Sequence, residues 1–277
     1  MTIKAIVLDI DGTLLNDEKE ISEKTKQALI DAQENGIKVI LASGRPTTGM
    51  RKHVEELQLD KYEGFIVSFN GACVVDCKTE EILFNQAMSV EDGKAILEHL
   101  KQFDVKPMID KDDYLYVNDV FDNTLYLPTG EFNIIEYESR GGNFKLCEID
   151  DLAAFVDFPL NKILIAADAQ YLQENHKKIQ APFEGRLNAM FTAPFYFEFT
   201  DKGIDKAKAL DSVLPDFGIH ADEIISFGDG HNDRSIIEYA GVGVAMANAV
   251  DDLKEAADEI TLSNNEDGIA FMLEKYL

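Results

Sequence analysis

The sequence predicts an α/β protein: a Rossmann-like parallel-sheet core with an inserted α+β domain. Three observations predict it. Short apolar runs end abruptly in small polar or acidic residues, as Ala5–Leu8 does before Asp9, residues 37–42 before Ser43, and residues 224–227 before Gly228 and Asp229. These runs alternate with segments of helical period, which is the strand–helix–strand rhythm of a parallel sheet. Between the two stretches that keep this rhythm lies a segment of mixed helix and hairpin signals.

Each element has a local reason. Ala5–Leu8 is apolar at every position, as a strand covered on both faces must be. From Ser22 to Asn35 the period changes: Thr25, Ala28, Leu29 and Ala32 share one helical face, Ser22 can cap the start, and Gly36 can stop the end. Residues 37–42 form the second strand, and residues 65–69 a third that ends at Asn70 and Gly71. In the middle, residues 90–103 are helical, 114–117, 125–127, 162–166 and 193–200 are strand-like, and 171–179 are helical again. Beyond Lys202 the βα rhythm returns, with helices over 204–214, 234–240, 251–257 and 268–276 and strands over 224–227, 242–246 and 259–261. The expected organisation is a core of residues 1–84 and 194–277 with an inserted domain over 85–193.

Composition bounds the function. The chain has 277 residues, 45% hydrophobic and 28% charged, which is enough apolar material for a substantial core. Acidic residues number 52 against 26 basic ones, a formal charge of −26. This argues against nucleic acid as a partner, which needs a basic face, and against anionic membrane surfaces. No stretch reaches the roughly 20 apolar residues of a membrane helix. The N-terminus reads as a first strand, not a signal peptide, and the sparse set Cys73, Cys77 and Cys147 reads as free thiols, so a cytoplasmic setting is expected.

In open parallel sheets ligands bind beyond the carboxyl ends of the strands, and four such places carry suitable side chains. Asp9 and Asp11 stand two apart past the first strand; such a pair can hold a hard cation, with one carboxylate as nucleophile and the other as acid and base. Ser43, Gly44 and Arg45 follow the second strand and offer a hydroxyl, unhindered N–H groups and a guanidinium to phosphate oxygens. Lys206 precedes a helix and can place a charge on a phosphoryl group, although spacing alone does not choose it over Lys202 or Lys208. In the turn 228–233, Asp229 can complete a divalent-metal site, and Asp233 can bind the metal or orient its water. His231 in that turn reads as a solvated side chain. So many hard oxygen donors point to Mg²⁺ and away from Zn²⁺.

In this order, Asp-Ile-Asp-Gly-Thr at 9–13, Ser-Gly-Arg at 43–45, a lysine, and Gly-Asp-Gly-His-Asn-Asp at 228–233, the chain resembles the haloacid dehalogenase superfamily, and within it the Cof-type sugar-phosphate phosphatases. Residues 69–72, 238–246 and 265–268 support the resemblance. It implies Asp9 as a nucleophile that forms an aspartyl-phosphate, and Asp11 as acid and base with its backbone carbonyl on Mg²⁺. It implies Ser43 and the Gly44 N–H on phosphoryl oxygens, Lys206 in the lysine role, Asp229 on the metal, and Asn232 and Asp233 in support. Ala207 departs from the glycine that often follows the family's lysine, which keeps Lys202 as an alternative. The inserted domain then corresponds to an α/β cap that excludes water and selects the leaving group, with Arg45 and Asn70 on the substrate side. The implied substrate is a small phosphorylated metabolite. Two other readings are a phosphomutase of the same superfamily and a receiver module that accepts phosphate without turnover. The chain's length and the second acid at Asp11 weigh against the receiver.

Overall fold

The computed structural model describes residues 2–277. Before the insertion the chain forms β1 (Ala5–Leu8), α1 (Glu23–Glu34), β2 (Lys38–Ala42), α2 (Arg51–Glu56), β3 (Phe65–Ser68), β4 (Cys73–Asp76) and β5 (Ile82–Asn85). Next come α3 (Val90–Leu100), β6 (Lys106–Lys111), β7 (Tyr114–Val117), β8 (Thr124–Leu127), β9 (Gly130–Asn133), α4 (Ile134–Gly141), β10 (Lys145–Glu148), α5 (Leu152–Phe155), β11 (Ile163–Ala166), α6 (Ala169–Gln180), β12 (Leu187–Ala193) and β13 (Tyr196–Asp201). The chain closes with α7 (Lys206–Val213), β14 (Ile224–Gly228), α8 (Arg234–Tyr239), β15 (Val242–Ala245), α9 (Asp251–Ala256), β16 (Glu259–Ile260) and α10 (Gly268–Tyr276).

Two compact units result: one runs to Asn85 and resumes at Ile204–Leu277, the other is Gln86–Gly203. The first holds an eight-stranded sheet in the order β16-β15-β14-β1-β2-β3-β4-β5. It is parallel from β16 to β3, and β4 and β5 add antiparallel. Alternate residues feed two cores. Ile6, Leu8, Val39, Leu41, Ile225 and Phe227 pack with Leu29 of α1 and Met272 and Leu273 of α10. Ala5, Val7, Ile40, Phe65 and Ile224 pack with Ala209, Leu210 and Val213 of α7 and Ile236 of α8. Burial on both faces is why these strands read as unbroken apolar runs. The order places β1 between β14 and β2. The chain therefore leaves β1 on one side and returns on the other, and this reversal is where a crevice opens at the carboxyl ends.

The second unit holds a six-stranded sheet in the order β10-β7-β6-β11-β13-β12 and a small hairpin of β8 and β9. One face of the larger sheet, through Ile109, Ile163, Ile165, Phe197 and Phe199, packs on α3, α5 and α6. On the other, Met108, Leu115, Val117, Leu164 and Tyr196 meet Leu125, Ile134 and Ile135. The boundary expected at 193/194 lies instead at 203/204. The reason is pairing: Tyr196–Asp201 bonds to β12 on one side and β11 on the other, so residues 194–203 complete the second unit's sheet. No helix among the described residues is long and apolar enough to cross a membrane.

One buried group makes the fold acid-sensitive. His53 on α2 is 4% exposed, and its Nδ1 has no hydrogen-bond partner among the described residues. Burial, with the Arg45 and Lys52 charges in support, pushes its imidazole from 6.5 down to about 4. The unfolded chain therefore takes up a proton below about pH 6.5 that the folded chain refuses, so stability falls with pH across that window. Urea unfolding should show His53→Leu removing about 2 kcal/mol of the stability that the parent loses between about pH 7 and 4.5. An unchanged pH dependence in the variant contradicts the assignment.

Candidate active site

The loop after β1 turns sharply back. The Leu14 N–H donates to the Asp9 carbonyl at 3.2 Å and the Leu15 N–H to that of Ile10 at 2.9 Å, while the Asp9 N–H donates to the Phe227 carbonyl of β14 at 3.1 Å. Gly12 sits at φ +85°, and a Cβ there would lie 2.4 Å from Oδ2 of Asp229. Both constraints require glycine. They let Asp229 approach the loop, where Thr13 Oγ1 donates to its Oδ1 at 2.8 Å.

A single ammonium joins the strand ends. Lys206, the first residue of α7, is 1% exposed and donates to Asp9 Oδ1 at 2.8 Å and to Asp233 Oδ1 at 2.6 Å. The other oxygen of Asp233 accepts the N–H groups of Asp229 and Gly230 at 3.0 and 2.9 Å. Asp233 is wholly buried and spends both oxygens on these donors. Gly71 brings α7 into place: at φ +101°, a Cβ there would lie 2.3 Å from the Asp205 carbonyl. Asp205 then caps α7 by accepting from the Lys208 N–H at 2.9 Å. Of the competing lysines, Lys202 donates to the Gly185 carbonyl within the second unit, and Lys208 lies two residues further along α7.

Asp9, Asp229 and Asp233 each offer a carboxylate oxygen within 4.8 Å of the others. Three carboxylates thus cluster around one ammonium that bonds two of them, which leaves an excess of negative charge. Burial pushes Asp9 up; Lys206 pulls it back, and Asp233 and Asp229 push it up again, leaving it well above the carboxylate range. Burial also raises Asp229. Lys206 loses by burial but gains more from Asp9 and Asp233, and is raised. A hard divalent cation fits this donor set and would offset the excess charge.

The carboxylate of Asp11 points elsewhere. It accepts Arg45 Nε at 2.7 Å and a second guanidinium nitrogen at 2.8 Å, and Lys19 Nζ lies 3.4 Å away. Burial would raise it, but Arg45 and Lys19 outweigh burial and hold it below the usual range. It is not one of the three clustered acids. Ser43 ends β2, is 3% exposed, and its Oγ accepts the Arg45 N–H at 3.3 Å. The segment after β3 closes on it: the Asn70 N–H donates to the Ser43 carbonyl at 2.9 Å, with Asn70 at φ +56°. A Cβ on Gly44 would lie 3.0 Å from the Asn70 amide nitrogen, and Asn232 Nδ2 donates to Asn70 Oδ1 at 3.1 Å. His231 is solvated and pairs with Asp252 at 2.9 Å.

The structure therefore gathers Asp9, Lys206, Asp229 and Asp233 at one point. Ser43, Gly44, Asn70 and Asn232 form a second linked group on the neighbouring strand ends, and Arg45 is bound to Asp11. Sequence reasoning gives Thr13 no role beyond closing a loop, Gly71 none beyond ending a strand, and Lys19 none at all. The threonine's place directly after Asp-Gly was the available signal for the first; only long-range geometry reveals the other two. Removing one partner from a buried ion set strands the others. In metal-free buffer, Lys206→Met should lower the unfolding free energy by about 3–5 kcal/mol, read as an earlier urea transition; unchanged stability contradicts the bridge.

Comparison with known proteins agrees with this geometry. The family model for haloacid dehalogenase-like hydrolases matches residues 6–273. The 5-amino-6-(5-phospho-D-ribitylamino)uracil phosphatase YcsE of Bacillus subtilis is 32% identical, with 97% of this chain and 93% of that protein covered. A solved haloacid dehalogenase-like hydrolase from Bacteroides thetaiotaomicron superposes with a TM-score of 0.91 at 33% identity, covering 100% of both chains. A solved sugar phosphatase of subclass IIB gives a TM-score of 0.76 at 26% identity, with 99% of this chain and 98% of that one covered. With its acids and lysine gathered at the strand ends and a match along nearly its whole length, the chain belongs to the haloacid dehalogenase-like hydrolases.

Proposed function

We propose that this haloacid dehalogenase-type phosphatase is a Mg²⁺-dependent enzyme that hydrolyses small phosphorylated polyhydroxyl metabolites through an aspartyl-phosphate on Asp9. The observation that carries the reading is the buried Lys206 bridge to Asp9 and Asp233, with Asp229 in the same cluster. Lys206 fixes one oxygen of Asp9, and Asp9 Oδ2 accepts no hydrogen bond among the described residues, so it is the oxygen available to a phosphorus atom. Asp9 and Asp229, with the Asp11 backbone carbonyl, would hold Mg²⁺, and Asp233 would orient the lysine and the turn. Bound there, the cation supplies positive charge to the phosphoryl oxygens. The Ser43 hydroxyl and the Gly44 N–H would hold those oxygens as well.

The chain's own groups balance both steps. Asp9 attacks phosphorus, the ester P–O bond breaks, and the leaving alkoxide takes a proton from Asp11. Water then attacks phosphorus, Asp11 takes a proton from it, and the bond to Asp9 breaks. In the arrangement described, Arg45 holds Asp11 ionised, which is its form for the second step. For the first step it has to leave Arg45, and an anionic substrate is the natural competitor for that guanidinium.

The substrate class draws on the relatives, one named for a ribityl phosphate and one for sugar phosphates. The unit Gln86–Gly203 is the part we assign to leaving-group selection. Phosphate release from p-nitrophenyl phosphate tests the reading. Activity should disappear after EDTA treatment and dialysis, and return with Mg²⁺. Full activity after exhaustive chelation, or none with any divalent metal, overturns it.

A further inference from the structure

One loop of the first unit touches both segments that carry the clustered acids. Beyond β15 the chain runs through residues 246–250. There the Met246 N–H donates to the Gly228 carbonyl at 3.0 Å and the Val250 N–H to the Asp229 carbonyl at 3.0 Å. Between them, Asn248 Nδ2 donates to the Gly12 carbonyl at 2.8 Å. The loop after β1, with Asp9 and Asp11, and the turn after β14, with Asp229 and Asp233, are thus tied to one support. All of these residues lie in the unit that runs to Asn85 and resumes at Ile204.

The Asn248 amide has one possible orientation. Its Oδ1 accepts the Asn264 N–H at 3.0 Å. A backbone N–H only donates and a carbonyl only accepts, so Nδ2 must face Gly12. Asn264 in turn donates its own Nδ2 to the Leu15 carbonyl at 2.9 Å, and Asn265 Oδ1 accepts the Asp17 N–H at 3.0 Å. Asparagines therefore brace the loop at residues 12, 15 and 17. Of these points Gly12 is the one against the site. The close approach of Asp229 requires glycine there, at φ +85°, and glycine is also the residue whose backbone is least restrained. Thr13 ties the loop to the Asp229 carboxylate. Asn248 holds the Gly12 carbonyl, the next along the chain after that of Asp11. Asn248 is exposed, and a hydrogen bond open to water adds little to stability, so its effect falls on where the loop stands.

We propose that Asn248 is a positioning residue for the cation site: through the Gly12 carbonyl it fixes the loop that presents Asp9 and the Asp11 backbone carbonyl against the turn that presents Asp229. Groups that orient a metal's ligands without touching the metal change its affinity by about 10–100-fold when they are removed. Asn248 stands in that relation to the loop after β1, and the Val250 N–H stands in it to the turn after β14. The proposal rests on the Mg²⁺ reading above and adds to it a residue outside the acids and the lysine.

The test titrates Mg²⁺ into the metal-free protein by isothermal titration calorimetry, for wild type, Asn248→Ala and Asn265→Ala. Asn248→Ala should raise the Kd for Mg²⁺ about 10-fold, with a urea midpoint in metal-free buffer close to that of wild type. Asn265→Ala gives up a bond further along the same loop and should leave the Kd close to the wild-type value. An unchanged Kd in Asn248→Ala overturns the proposal. So does an equal rise in both variants, or a rise that comes with a much earlier urea transition, because each marks a general loosening of the loop. In each case the Mg²⁺ reading survives. A wild type that binds no Mg²⁺ overturns both.

Discussion

One buried ammonium organises the first unit. Lys206 lies between Asp9, at the end of β1, and Asp233, in the turn after β14, and almost no solvent reaches any of the three. Buried charges are tolerable only when paired and hydrogen-bonded, and here each is. The requirement propagates outwards. Asp233 needs the N–H groups of Asp229 and Gly230, so the turn after β14 is fixed. Lys206 must begin its helix at the right height, so Gly71 has to let Asp205 come close. Asp229 must face the loop after β1, so Gly12 can carry no side chain and Thr13 must donate to it. Two of these contacts, Lys206 to Asp9 and Thr13 to Asp229, join residues about two hundred positions apart, which the adjacency of β14 and β1 makes possible.

Around this fixed centre the structure separates two carboxylates that stand only two residues apart. Asp9 is buried among like charges and raised, whereas Asp11 is paired with Arg45 and lowered. Environments that push neighbouring acids apart are how one loop supplies two chemical roles. The Arg45 pair is bidentate and partly exposed, a geometry that an incoming oxyanion can contest. The Lys206 bridge is closed to solvent and holds its place.

Most of the core was legible because strands covered on both faces announce themselves. β1 and β15 are apolar throughout, and β2, β3 and β14 are so at all but one position, and the site residues directly follow three of the five. The edge of the sheet was not. β4 and β5 join antiparallel with a register shift near Val74 and Val75, and β5 leaves Ile82 59% exposed, so no clean run marks it. In the second unit, β12 carries a shift between Phe191 and Ala193 that breaks its alternation, and the strand at Tyr196–Asp201 belongs to this unit through its pairing with β11 and β12, which no local pattern reveals. The acids stood out as candidates by type and spacing; the lysine did not, because spacing left Lys202 and Lys208 open and only the contacts of Lys206 with Asp9 and Asp233 bring it to the strand ends. The turning of Asp11 towards Arg45 was not legible either, because it depends on a contact across 34 residues.

The central claim is that Asp9 receives the phosphoryl group. The most direct measurement quenches the enzyme during turnover of p-nitrophenyl phosphate, reduces with borohydride, and maps the peptides by mass spectrometry. An aspartyl-phosphate is reduced to homoserine, so the account requires homoserine at position 9 in wild type, unmodified Asp11 and Asp229, and no modification in an inactive Asp9→Asn variant. Steady turnover with residue 9 always recovered as aspartate, or reduction at another acid, contradicts it.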